Sequence, residues 1–231
     1  MDKEKDKDDQ SNPSEKKVDE EANVDNETVD AESGDSAFEN VRGNTAIKTE
    51  EQLRAVVENM SKDQRTAYDF ITDNALHLSR HRSNPQRCNC EVFEPLNKFI
   101  YGGPGAGKSY LIKALMGFAY VESEVKKNPI HFLLAAPTGI AACNIGGQTL
   151  HSLWKLPVDN KRKVTPYIPV SDEEKCRMHA TFRHVCGMII DEISMVNNKM
   201  LMYLNLRMME IFLKDAIFGG IPMFFLEGNL I

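Results

Sequence analysis

Gly102, Gly103, Pro104, Gly105, Ala106, Gly107, Lys108 and Ser109 form the run GGPGAGKS, which satisfies the spacing G-x-x-x-x-G-K-[ST]. Glycines let such a loop wrap with its backbone N–H groups turned inward on phosphate oxygens. A lysine placed just after them reaches the β- and γ-phosphates, and the hydroxyl that follows binds Mg²⁺. The competing reading, an ordinary Gly-rich turn, does not explain why the run follows the apolar stretch NKFIY and opens the helical stretch SYLIKALMGFAY. A nucleoside triphosphate carried with Mg²⁺ is the chemistry these residue types predict.

Such a ligand also needs carboxylates. Asp191 and Glu192 end the apolar run CGMII, 83 residues beyond Lys108. A buried parallel strand delivers its last residues to the edge of the sheet where a phosphate loop also opens. Asp191 there would hold Mg²⁺, and Glu192 would orient or deprotonate an attacking water. An apolar strand ending in Asp-Glu is common as a solvated strand end, so the phosphate loop gives the pair its meaning.

A third stretch, AAPTGIAACNIGGQTLHSLW, combines small residues with Thr138, Thr149, His151 and Ser152. Small residues let a nucleic-acid backbone approach, and hydroxyls at helix starts donate to phosphates. A Gly-rich connection that only packs accounts for the same residues equally well. Upstream, Ser61, Lys62, Asp63 and Gln64 form a capping-box pattern that predicts a helix start. His77, His81, Cys88 and Cys90 fall within 14 residues; a tetrahedral zinc site and a polar insertion both fit, although Cys-x-Cys is tighter than the usual spacer.

The elements that must position these groups follow from periodicity. NKFIYG, IHFLLAAP, CGMIIDE and IPMFFLEG read as short buried strands, alternating with helical stretches that include NNKMLMYLNLRMMEIFLKD. Strands alternating with helices predict an α/β fold, a parallel sheet covered on both faces. The stretch from Ser79 to Leu96 reads as a loop, and residues 153–185, polar and Pro-bearing, as a small insertion on the sheet rather than a strand-helix unit.

Charge separates the ends of the chain. Residues 1–50 hold 16 acidic and 7 basic residues, a net of −9, so of the overall −6 the remaining 181 residues carry +3. With almost no large apolar side chains, residues 1–50 read as a disordered acidic tail, and 51–231 as one domain. The tail's acidity argues against a mitochondrial transit peptide and it has no apolar signal region, which leaves a nuclear or cytosolic address. No stretch approaches the roughly 18 apolar residues of a membrane span. Five cysteines, an odd number, do not suggest a disulfide framework.

Taken together, SKDQRTAYDFI, GGPGAGKS, APTGIAACNIGGQTLHS, IIDEISM and FGGIPM resemble, in order and wording, the Pif-type (petite integration frequency) DNA helicases of superfamily 1, including relatives carried by Helitron transposons. The resemblance covers about residues 53–225. It implies a RecA-like P-loop motor domain that uses ATP and Mg²⁺ to move 5′ to 3′ along single-stranded DNA and to open duplex junctions. Roles in DNA repair, recombination and telomere maintenance come with it; monomeric action and, of the addresses left above, the nucleus are the expectation.

Carried over by motif, the resemblance makes Gln64 the adenine-reading residue, where the bare pattern allows a surface glutamine on a capped helix. An amide offers the donor and acceptor an adenine edge needs. Thr138, Gly139, Thr149, His151 and Ser152 match the motifs that grip DNA, and 153–185 stands where a small subdomain helps split the duplex. The family continues after GGIP with a strand, a Gly-Asp pair and a γ-phosphate-sensing glutamine; here Glu227 and Gly228 occupy the Gly-Asp place and no glutamine follows. A second RecA-like domain with its arginine fingers, worth about 10³ to 10⁵ in rate or ~4 to 7 kcal/mol, is also outside these residues. The expectation is therefore an incomplete amino-terminal half that binds Mg·ATP and gains little turnover from DNA, with a non-catalytic ATP- and DNA-binding fragment as the alternative.

Overall fold

The computed structural model describes residues 45–84, 94–158 and 165–228. Two helices lead into the sheet: the short α1 (Glu50–Glu58) and the 22-residue α2 (Lys62–Ser83). The Ser61 side chain caps α2 by accepting the Gln64 N–H, while the Gln64 side chain accepts the Ser61 N–H, as the capping-box pattern requires. Thr49 and Gln52 do the same for α1. Thr49 and the buried Thr45 and Ile47 thus belong to the folded unit, although the sequence assigns them to the tail. Ile47 seats against Gly117, where an added Cβ would come within 2.8 Å of it.

From there the chain alternates as predicted: β1 (Asn97–Tyr101), α3 (Lys108–Tyr120), β2 (His131–Ala136), α4 (Gly139–Ile145), β3 (Gln148–Thr149), α5 (Leu150–Trp154), α6 (Asp172–Phe182), β4 (Val185–Ile190), α7 (Asn198–Phe212) and β5 (Met223–Glu227). All strand pairings are parallel and the order across the sheet is β1-β5-β4-β2-β3. The strand carrying the phosphate loop and the strand carrying Asp191 are therefore separated by one strand, β5.

The sheet is covered on both faces, which is why β2 and β4 are continuous apolar runs. Alternate residues diverge: Phe132, Leu134 and Ala136 join Ile71, Leu115 and Phe224 in one core, whereas Leu133 and Ala135 join Trp154, Tyr203, Leu204 and Met208 in the other. Each large side chain buried this way contributes about 1.5–3 kcal/mol against leaving it in water. Gly187 in β4 makes room for this packing, because a Cβ there would meet the Phe224 ring at 2.9 Å and the Phe132 ring at 3.0 Å.

Two expectations change. The loop predicted from Ser79 begins later, because Leu78 extends the Ile71–Ala75 stripe and α2 runs to Ser83, with buried Ser79 donating to Asn128 Oδ1 at 2.9 Å. The described parts of 153–185, residues 153–158 and 165–185, do more than lie on the sheet as an insertion. Trp154, Leu156, Met178 and Phe182 are buried in its second core, with the Trp154 and Phe182 ring centroids 5.1 Å apart, and α6 leads directly into β4. Buried Arg207 of α7 fastens this segment by donating to the carbonyls of Lys155 and Ile168 and to Glu210. The polar composition hid this because a few apolar residues, spread along the chain, suffice to dock it. Strand β3 was not among the expected strands, because two residues carry no alternation to read.

Candidate nucleotide and nucleic-acid site

The phosphate loop leaves β1 at Tyr101 and enters α3 at Lys108. Gly105 and Gly107 have φ of 77° and 83°, a left-handed conformation that a side chain disfavours. At Gly107 space is refused as well, since a Cβ would strike the Gln64 side-chain nitrogen. Backbone bonds also shape the loop: Ala106 N–H donates to Gly103 O at 3.0 Å, and Gly102 N–H to Glu227 O at 3.1 Å. Lys108 Nζ folds back to donate to Gly102 O at 2.7 Å, so its ammonium lies over the loop. Pro104, Gly105, Ala106 and Ser109 are exposed, whereas Gly102, Gly103, Gly107 and Lys108 are half-buried.

One contrast suits the loop to an anion. Of the seven described α-helices, six have a side-chain cap, from Thr49, Ser61, Thr138, Thr149, Ser171 and Asn197. The seventh, α3, has none. Its first N–H groups and the positive end of its dipole face the loop, the arrangement that binds phosphate.

Asp191 and Glu192 follow β4. Asp191 N–H is held by Ala135 O at 3.0 Å, which fixes the residue to β2. Its Oδ1 is buried with no hydrogen-bond partner. Burial pushes the Asp191 carboxyl above its ordinary range, and Glu227 pushes it further, while the Glu192 N–H and the Lys108 ammonium draw it down. An orphaned carboxylate oxygen beside a lysine and a phosphate loop fits a hard divalent cation, for which one or two protein oxygens complete a shell made mostly of water and phosphate. Ser109, on the first turn of α3, is the other expected ligand. Glu192 sits at φ 54°, an uncommon conformation for a residue with a side chain, and one that clusters at functional sites.

Gln64 reaches the loop, but its amide is engaged there. Oε1 accepts from Ser61 N–H at 2.9 Å, and Nε2 donates to Ala106 O at 3.1 Å and Gly107 O at 3.3 Å. In this state the amide clamps the loop to the start of α2. Thr138 and Thr149 cap α4 and α5, accepting from Ala141 N–H and Ser152 N–H. Because β2 and β3 pair Ala136 with Thr149, both threonines emerge at the same sheet edge. Gly139 and Ser152 are exposed beside them, and half-buried His151 lines a small cavity of about 250 Å³ with Asn197, Lys199 and Tyr203.

A second cavity, about 480 Å³ and lined mainly by apolar residues such as Ile47, Val56, Met116 and Ile145, touches Ser109 but not Lys108 or Asp191. Its lining suits no triphosphate. His77 and His81 lie one turn apart on α2, while Cys88 and Cys90 lie outside the described residues. Among the described residues no group of three or more His, Cys, Asp or Glu is placed to hold a metal by itself.

Two groups at the site escape the motif spacing: Glu227, wholly buried between loop and carboxylates, and Lys199, beside His151. An acid ending the buried run MFFL was the legible signal for Glu227; Lys199 had none.

A family model described as PIF1-like helicase matches residues 59–228, which span every motif above. The chain belongs to the PIF1-like helicase family. Among its relatives, the ATP-dependent DNA helicase Pif1 of Bdellovibrio bacteriovorus is 39% identical over 106 residues, covering 46% of this chain and 22% of the relative. The helicase RRM3 of Saccharomyces cerevisiae is 30% identical over 187 residues, covering 80% and 24%. The structure of unliganded Pif1 from Bacteroides sp superposes with a TM-score of 0.50 at 27% identity, over 73% of this chain and 31% of that one. The parallel sheet is thus the RecA-like P-loop fold of PIF1-like helicases, and the chain spans about a quarter of the length of these curated relatives.

Proposed function

We propose that this chain is the first motor domain of an ATP-dependent DNA helicase, binding Mg·ATP at the loop of residues 102–109 and single-stranded DNA along the edge that carries Thr138 to Ser152. The observation that carries the reading is the juxtaposition of an uncapped α3 with the orphaned Asp191 oxygen across β5. One end offers N–H groups to an anion and the other an oxygen to a cation, the two halves of a metal-bound triphosphate.

In this reading Lys108 exchanges Gly102 O for the β- and γ-phosphate oxygens. Ser109 and Asp191 would hold Mg²⁺, which supplies neutralisation of the phosphate charge. Glu192 orients the attacking water and accepts its proton. Gln64 must release the loop carbonyls before its amide can meet adenine. Each capping threonine accepts one N–H through its oxygen and keeps its O–H to donate to a DNA phosphate. Lys199 adds a positive charge to that edge.

The wider proposal, resting on family likeness, is 5′ to 3′ unwinding from single strands into duplex junctions by a monomer in the nucleus, serving repair, recombination and telomere maintenance. No helix among the described residues is long and apolar enough to cross a membrane.

Titration of the 231-residue chain with a fluorescent ATP analogue and Mg²⁺ tests the reading. Binding by the native chain and its loss in Lys108→Ala are expected; unchanged affinity in that variant would falsify the assignment of the loop.

A further inference from the structure

Glu227 lies at the end of β5, the strand between the phosphate loop and the Asp191 turn, and is 1% exposed. A carboxylate is costly to bury unless its oxygens are paired. Here each has a backbone partner: Oε2 accepts from Ser194 N–H at 2.7 Å and Oε1 from Gly228 N–H at 2.8 Å. Ser194 belongs to the 3₁₀ turn Ile193–Met195 that directly follows Asp191 and Glu192. The backbone oxygen of the same Glu227 accepts Gly102 N–H, the first residue of the phosphate loop. Next to it, a Cβ on Gly228 would lie 2.9 Å from Lys108 Nζ, so this corner is packed against the lysine.

One residue therefore holds both halves of the site. Its main chain fixes where the loop departs and its side chain fixes the turn that aims the metal-binding carboxylate. The start of the turn is fixed by Asp191 N–H on Ala135 O, and Ile193 and Val196 pack on the second core. Ser194 and Met195 themselves are exposed, and Glu192 enters in a left-handed conformation. The Glu227 carboxylate holds the middle of the turn from the side of β5. The geometry points to Glu227 as a positioning residue for the Mg²⁺-dependent part of nucleotide binding, acting through the Ser194 N–H on the placement of Asp191. This inference rests on the Mg·ATP reading above.

Its signature is a split between two affinities. Nucleotide bound without metal uses the loop and Lys108, and is insensitive to the turn. The extra affinity gained on adding Mg²⁺ needs Asp191 in place. Groups that orient a metal ligand from outside commonly contribute about tenfold or more to metal affinity.

The experiment measures binding of a fluorescent ATP analogue to the full chain in EDTA and in Mg²⁺, for the native protein, Lys108→Ala, and the variants Glu227→Asp, Glu227→Gln and Glu227→Ala. Aspartate keeps the charge but withdraws from Ser194, whereas glutamine keeps the reach and one acceptor oxygen. Glu227→Asp should lose about tenfold of the gain due to Mg²⁺ with its metal-free affinity unchanged, and amide exchange at Ser194 should accelerate. Glu227→Gln should keep most of the gain. Should Glu227→Ala fail to fold, the aspartate variant decides alone.

Retention of the full gain by Glu227→Asp overturns the inference, and so does an equal loss with and without metal, which marks a purely structural role. If the native chain binds no nucleotide, or Lys108→Ala binds as well as native, the Mg·ATP reading itself fails and the inference with it.

Discussion

The amino ends of α3 and of α4 and α5 follow parallel strands at one sheet edge, yet they are finished differently. Thr138 and Thr149 close α4 and α5 with their own hydroxyls. Gly107 opens α3 in a left-handed conformation with no side chain to offer. The capped ends are complete in themselves, whereas the uncapped end leaves its N–H groups open. Under the proposed reading that end is completed by the triphosphate, and its stability should depend on it. The same reading divides the roles: exchangeable contacts with a DNA strand suit self-sufficient helix ends, whereas a tightly held triphosphate suits an end left open for it.

The largest expected effect is ligand-dependent stability of the uncapped end. At Mg·ATP about a hundredfold above its dissociation constant, linkage gives ~2.7 kcal/mol. Thermal unfolding should show that increment in the native chain and none in Lys108→Ala.

Next comes Gly107→Ala, which should cost ~1–2 kcal/mol from the backbone alone, with the clash against Gln64 added. In a double-mutant cycle with Gln64→Ala, the clash should vanish and the backbone share persist; full relief would mean that the left-handed conformation is not required.

Thr138→Ala and Thr149→Ala should each cost about 1 kcal/mol in denaturant unfolding while leaving nucleotide affinity unchanged. A drop in nucleotide affinity would erase the distinction between the two kinds of helix end. Under the DNA reading, both variants should also weaken single-stranded DNA binding in a fluorescence anisotropy titration.

The smallest effect concerns pH. Because the fold holds the Asp191 carboxyl above its ordinary range, mainly by burial, the protonated form is favoured in the native state. The group's contribution to stability is then fully present only below the unfolded carboxylate pKa and is lost as pH rises through the raised folded value. Metal-free Asp191→Asn should therefore be more stable than native at pH 7, with the advantage shrinking as pH falls into the carboxylate range. An advantage that grows on acidification would reverse the sign and exclude burial as the cause.

Some of this was legible locally. The phosphate loop is a short-range pattern whose residue types are demanded by backbone geometry, so Gly105, Gly107 and Lys108 stand where the spacing puts them. The Ser61–Gln64 box likewise involves groups three residues apart. Other features were not legible because they depend on partners distant along the chain. The engagement of Gln64 with Ala106 and Gly107 spans more than forty residues. Docking of 153–185 depends on Trp154, Phe182 and Arg207 meeting across α5, α6 and α7, which no polar-composition argument detects.

What the sequence by itself determined is the alternation of buried strands and helices, the family, and the set of groups able to meet a metal-bound triphosphate, since periodicity and motif spacing are properties of neighbours. Only the tertiary structure decided which of those groups face one another. Strand order is set by long-range pairing, and placing β5 between β1 and β4 carries Glu227, an acid where the family pattern has glycine, between the phosphate loop and Asp191.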